Sequence, residues 1–184
     1  MIEVKLMTKT QIKELMNSAA NSRKPCCVHL KYDTYYRYYF PLLVSDKLFL
    51  GAEEDDFILD GFHIRRFKDT IKAEIKSGKY LEIITAEGIL DNLEIPDVDV
   101  TCWYSVFMSL SKMKKNVIVE CEDEDPNKAG FAIGKILKVC KNKVYIKHFD
   151  ADGVWENEPV EIPFSEITLV TFGSRYVETF SKYV

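Results

Sequence analysis

The same order of features is written twice along the chain. An amphipathic segment, Thr10 to Ala19, leads through the basic turn Arg23-Lys24-Pro25 into the apolar run Cys26 to Leu30. Another, Trp103 to Lys112, leads through Lys114-Lys115-Asn116 into Val117 to Cys121, 91 positions later. Each is followed by two apolar runs around a short polar turn and then by an acidic loop, Glu53 to Asp56 or Asp150 to Gly153. Lys79-Tyr-Leu-Glu82 reappears 96 positions on as Arg175-Tyr-Val-Glu178. Such self-similarity points to one supersecondary unit used twice. Each unit has fewer than about 100 residues and would bury a marginal core alone, so the two should pack on one another.

Within each unit the pattern is a helix and then five short strands. Runs rich in Val, Ile, Phe and Tyr place the strands at 26–32, 37–44, 47–52, 57–65 and 70–75. They recur at 117–122, 131–139, 143–149, 158–162 and 167–172. Turns every ten residues or so, with no helix between successive strands, disfavour a doubly wound fold and favour a small barrel or sandwich. The expected organisation is a first unit over 1–84, a linker over 85–100 containing Gly88 and Pro96, and a second unit over 101–184. The linker's Leu and Ile side chains should lie against a surface.

The helix–strand order, the hairpins and the segment Ile162-Pro-Phe-Ser-Glu-Ile-Thr-Leu-Val170 resemble the small barrels of the Sm-like and SH3-like type. Arg65-Arg-Phe-Lys-Asp-Thr-Ile71 is similar to the same short connection between strands four and five. The resemblance implies a mainly β fold with short helices, arranged as two tandem five-stranded Sm-like or SH3-like small barrels, each preceded by a helix. Sm-like proteins that bind RNA carry Asp-x-apolar-Met-Asn between strands two and three and Arg-Gly before strand five. Here Ser45-Asp46-Lys47, Cys140-Lys141-Asn142 and Pro163-Phe164-Ser165-Glu166 stand at those places.

Charge and composition narrow the class of function. The 184 residues carry 25 Lys and Arg against 29 Asp and Glu, for a net charge of −4. A chain that holds a phosphate backbone by charge usually has a basic excess. The start of the chain has no apolar core of a secretory signal, and no run reaches the roughly 18 residues needed to span a bilayer. A cytoplasmic location with no membrane association is expected. The five cysteines (Cys26, Cys27, Cys102, Cys121, Cys140) are odd in number and form no Cys-x-x-Cys pair, so they read as reduced thiols.

Candidate chemistry is sparse. No elbow motif, His-Glu-x-x-His or Walker loop occurs, so no catalytic residue, metal ligand or cofactor is assigned. Tyr32, Tyr35, Tyr36, Tyr38 and Tyr39 cluster around Arg37. Alternation puts Tyr36, Tyr38 and Phe40 on one strand face and Tyr35, Arg37 and Tyr39 on the other, so that one set should be core and the other partly wet. His63 with Arg65 and Arg66 could hold an anion, and Trp155 could cap a barrel end or sit at an interface. The binding set is therefore Tyr35, Arg37, Tyr39, His63, Arg65, Arg66 and Trp155. The expected function is a non-catalytic binding or scaffolding protein acting through protein–protein contacts, its partner unnamed by the sequence. The alternatives are a single-stranded nucleic-acid (RNA) binder using Tyr35, Arg37, Tyr39, Arg65 and Arg66, and a metal-binding or enzymatic use of the acidic loops. Assembly is expected either as a monomer with pseudo-dimeric halves or as a homo-oligomer joined through edge strands.

Overall fold

A computed structural model describes residues 7–184; most of the N-terminal stretch read for a secretory signal lies outside the described residues. The described residues are mainly β, with ten antiparallel strands and four α-helices among them. In chain order these are α1 (Lys9–Ser22), β1 (Cys26–Leu30), β2 (Arg37–Val44), β3 (Leu48–Asp55), β4 (Ile58–Arg66), β5 (Thr70–Ile75) and α2 (Lys79–Ala86). The second half holds α3 (Trp103–Met113), β6 (Asn116–Cys121), β7 (Gly130–Val139), β8 (Lys143–His148), β9 (Val160–Pro163), β10 (Leu169–Phe172) and α4 (Arg175–Phe180).

The expected strands are all present, but they form one continuous sheet in place of two separate ones. Its order is β5-β1-β2-β3-β4-β10-β6-β7-β8-β9. Each half has the order fifth, first, second, third, fourth. The halves are joined where β4 pairs with β10, Leu169 opposite Arg65 and Phe172 opposite Phe62.

Local details also repeat. The β2–β3 ladder is bulged between Pro41 and Leu43, and the β7–β8 ladder 95 positions on between Ile136 and Lys138. Ser45 N donates to Leu48 O, and Cys140 N donates to Lys143 O. Phe67 N donates to Lys47 O, tying the β4–β5 connection to the β2–β3 turn, and Phe164 N does the same to Asn142 O. A bulge bends its strand and raises the local twist, so repeating it at one position gives both halves the same curvature.

The helices follow from their apolar spacing. In α1, Ile12, Met16 and Ala19 are fully buried, and Thr8 with Gln11 forms a capping box at its start. This face covers Val28, Tyr39 and Phe49. The opposite face of the same strands is covered by Ile84 of α2 and by Leu90 and Leu93 of the linker, which pack around Phe40. Both faces of β2 are therefore buried at its centre. The expected division into one core face and one wet face gives way to a gradient along the strand: Arg37 is exposed, Tyr38 half-buried, and Tyr39 and Phe40 buried.

Trp103, Val106, Phe107 and Leu110 of α3 pack on Leu48, Leu50 and Ile64 of the first half and on Val117, Val144 and Val170 of the second. One apolar core thus spans the joint. At the outer edges, β9 has four residues, ends in Pro163 and follows Pro159. Proline cannot donate to an added strand, which blunts that edge. Among the described residues, no helix is long and apolar enough to cross a membrane.

Candidate functional site

An open groove of about 630 Å³ lies beside the outer ends of β2 and β3, the β3–β4 turn and the start of α2. Its wall is a run of rings. Tyr36 meets Tyr38 edge-on at 5.3 Å between centroids, Tyr38 stacks on Tyr80 at 4.8 Å, and Phe57 lies 5.7 Å from Tyr80. Tyr35 stands at the rim with 81% of its surface exposed.

Phe57 reaches this wall through a strained turn. Asp56 and Phe57 link β3 to β4 with φ of 48° and 65°. A two-residue hairpin loop needs positive φ at both central positions, and Asn-Gly or Asp-Gly meets that need at the lowest cost. A bulky aromatic residue there is an outlier, of the kind that clusters at binding sites. The Phe57 amide donates to the Glu54 carboxylate, which also accepts from the Tyr80 hydroxyl and so ties the turn to α2. Burial raises the Tyr80 phenol well above its ordinary value, and the neighbouring Glu54 raises it further, so the hydroxyl keeps its proton.

The floor of the groove opens onto a buried polar chain. Arg37 donates from Nε to Asp33 at 2.9 Å and from Nη1 to Glu53 at 2.9 Å. The second oxygen of Glu53 lies 3.0 Å from His63 Nε2, and His63 Nδ1 lies 3.0 Å from the Tyr39 hydroxyl. Arg65 Nε donates to that hydroxyl at 3.1 Å, and Arg65 Nη1 donates to Glu122 at 3.0 Å. Because Arg65 only donates, the Tyr39 O–H is free to donate to Nδ1, and His63 is then the neutral tautomer with its proton on Nε2, facing Glu53.

The charge states agree with this order. Burial lowers the His63 pKa, and the nearby Arg65 and Arg37 lower it further against the pull of Glu53. Burial alone would raise Glu53, but the His63 hydrogen bond and Arg37 bring it down to about 2. Burial pushes the Tyr39 phenol up to about 12. Tyr39, His63 and Arg65 are buried, so this Tyr–His–Glu chain offers no exposed nucleophile; it fixes Arg37, Asp33 and Glu53 beneath the groove.

Acid should undo this arrangement in two steps. The folded pKa of His63 lies below its ordinary 6.5, so its contribution is complete above 6.5 and is lost as the pH falls below it. The folded pKa of Glu53 lies below its ordinary 4.5, so its contribution is lost as the pH falls from there toward 2. Urea midpoints measured against pH should decline in both windows. His63→Gln should flatten the upper one, apart from a same-sign contribution of His29, whose pKa burial also lowers. A flat profile between pH 7 and 5 in the natural chain would contradict a buried neutral His63.

Of the residues singled out from the sequence, Tyr35 and Arg37 reach the groove, and Tyr39, His63 and Arg65 lie beneath it. Arg66 faces the joint between halves, where it bonds Asp69 and donates to Ser165 O at 3.1 Å. Trp155 belongs to a different cluster, edge-on to Phe149 at 5.2 Å with Lys135 over its ring. The proposed nucleic-acid contact set is thus dispersed, with Tyr39, Arg65 and Arg66 buried. Among the described residues, no group of three or more His, Cys, Asp or Glu side chains could hold a metal ion.

The groove also contains the acidic loop Glu53 to Asp56, which the sequence showed but which was not in the expected binding set, and two residues the sequence did not single out, Phe57 and Tyr80. The Asp56-Phe57 turn had a signal in the sequence, an Asp-x pair between two apolar runs. Tyr80 had none beyond its place in the repeated Lys/Arg-Tyr-apolar-Glu element. No protein family matches the chain, and no curated protein or solved structure matches it.

Proposed function

We propose that this chain is a non-catalytic binding or scaffolding protein, built from two small-barrel units of duplicated origin, that captures a Lys- or Arg-rich segment of a partner protein in the aromatic groove. One observation carries the reading. The described groove lining holds five carboxylates (Asp33, Glu53, Glu54, Asp55, Asp56) against one guanidinium, Arg37, which Asp33 and Glu53 already neutralise. An ammonium or guanidinium group over the Tyr36–Tyr38–Tyr80 wall would gain both ring-face and carboxylate attraction. A phosphate backbone would be repelled there. The duplicated origin is supported by the shared strand order and by the bulges and turn hydrogen bonds that recur about 95 positions apart.

Selection from a library of random decapeptides against the intact chain tests this. Bound peptides should be enriched in Lys and Arg. Tyr35→Ala combined with Asp55→Asn should weaken the best of them by about tenfold. Enrichment of neutral or acidic peptides, or affinity unchanged in the double variant, would sink the reading.

A further inference from the structure

The two halves differ in what covers the outer face of their second and third strands. In the first half Phe40 and Ala52 lie directly opposite one another on β2 and β3, buried against Ile84, Leu90 and Leu93. Leu43 and Leu48, on the same face, belong to the core that α3 shares. Each of these four positions is a lysine 95 residues later: in the same order, Lys135, Lys147, Lys138 and Lys143. The register repeats too, with Lys135 opposite Lys147 and Lys138 opposite Tyr145.

Two more lysines extend this face. Lys141 stands in the β7–β8 turn, and Lys114 in the turn that leads into β6, two residues before Asn116, which lies opposite Lys135. Among the described residues, Lys143 alone of the six is in a salt bridge, with Glu161 at 2.9 Å. Glu156 and Glu158 border the face through the β8–β9 connection, where Asn157 O accepts from Lys147, but they pair with none of the six. A mixture of both signs would keep an uncovered face in water equally well. A field of one sign, on a chain whose net charge is −4, attracts an anionic partner to this side alone.

Two features favour a lipid surface over a nucleic-acid strand. Leu137, the extra residue of the β7 bulge, stands among the lysines and is 55% exposed. A phosphate backbone has no use for it, whereas an apolar side chain can enter the boundary between headgroups and acyl chains. The rings of the face are already occupied. Lys135 Nζ lies 4.6 Å from the centre of the Trp155 ring, Lys138 and Lys143 lie 6.0 and 5.5 Å from that of Tyr145, and the Tyr145 hydroxyl donates to Glu161 at 2.6 Å. A base would have to displace an ammonium group in order to stack there.

We infer that the outer face of the β7–β8 hairpin is a docking surface for an anionic membrane, its lysines against the headgroups and Leu137 entering between them. Such adsorption needs no spanning segment, so it replaces the expectation of no membrane association, which rested on the lack of one. The surface belongs to the second half, is separate from the acidic groove and does not depend on the partner assigned there.

Sedimentation of the intact chain with lipid vesicles, at an ionic strength of about 50 mM to limit screening, tests this. Vesicles in which roughly one lipid in four is phosphatidylserine and the rest phosphatidylcholine should bind the chain at least about tenfold more tightly than phosphatidylcholine alone. Lys135→Glu with Lys147→Glu should weaken that binding by at least about tenfold, with melting unchanged. Lys68→Glu with Lys79→Glu makes the same change of net charge on exposed side chains of the first half, and should leave the affinity within about twofold. Leu137→Ser should weaken it by about threefold or more. Equal binding to the two kinds of vesicle, equal loss in the two double variants, or full affinity in Leu137→Ser would overturn the inference. So would a single-stranded decathymidylate that bound this face more tightly than the charged vesicles, since a phosphate backbone would then be its partner.

Discussion

Arg65→Ala should destabilise the whole molecule by about 3 to 5 kcal/mol, the largest effect expected from any exchange of one charged side chain here. Arg65 is 2% exposed. From β4 of the first half it reaches Glu122, just beyond β6 of the second, and it also donates to the Tyr39 hydroxyl; Asp33 lies 3.9 Å away. Removing it leaves Glu122 facing Glu120, whose carboxyl is already raised above its ordinary value by burial and then by Glu122. A largely buried charge stranded in this way, with the Glu122 side chain 16% exposed, costs far more than its pair contributes. The control follows from the same physics: Arg65→Met with Glu122→Leu removes both charges and should recover most of the loss. Urea unfolding of the three proteins checks this. A cost below about 1 kcal/mol for Arg65→Ala would place that guanidinium in contact with water.

Strand positions were legible in the sequence because they depend on local alternation and turn chemistry. The expected β2 and β5 match the structure residue for residue, and most other ends shift by one to three. The repeat was legible for the same reason. The joint was not. Whether β4 ends a barrel or pairs with β10 depends on two edges brought together over more than 100 residues of chain, and no local pattern encodes that. Arg65 and Arg66 looked like surface cations because burial of an arginine depends on distant partners, Glu122 for one and the Ser165 carbonyl for the other. The tyrosine cluster was visible as composition. Its division into two sets failed at Tyr39 and Phe40 because alternation assumes one wet face, and α1 and α2 cover both. The acid content of the groove was in plain sight as Glu53 to Asp56, but only the hairpin turn brings Glu54 to the Tyr80 hydroxyl and the loop into one groove with Tyr38 and Tyr80.

Gly61→Ala should be more damaging than Gly78→Ala, although both glycines have positive φ. Gly61 has φ +81° and Gly78 has φ +78°, so a side chain is strained at either. Gly78 precedes α2 in open space, where an added Cβ meets nothing within 4 Å. Its replacement should cost about 1 to 3 kcal/mol, the strain alone. At Gly61 the added Cβ would lie 2.4 Å from Ser174 N and 2.7 Å from Ser174 Cα. These are backbone atoms, so no rotamer change relieves the clash; either β4 or the turn after β10 must move. That turn is fixed in its own right, because Ser174 caps α4 and the Arg175 amide donates to Asp60 at 2.6 Å. The joint beyond Phe62 and Phe172 must therefore open, and the loss should exceed about 3 kcal/mol. With one core shared across the joint, the natural chain should melt in a single transition. Gly61→Ala should lower that transition steeply or split it into two, while Gly78→Ala should lower it less and leave it single. Equal effects of the two substitutions in calorimetry would mean that strain dominates and that the halves do not meet as closely as Gly61 and Ser174 require.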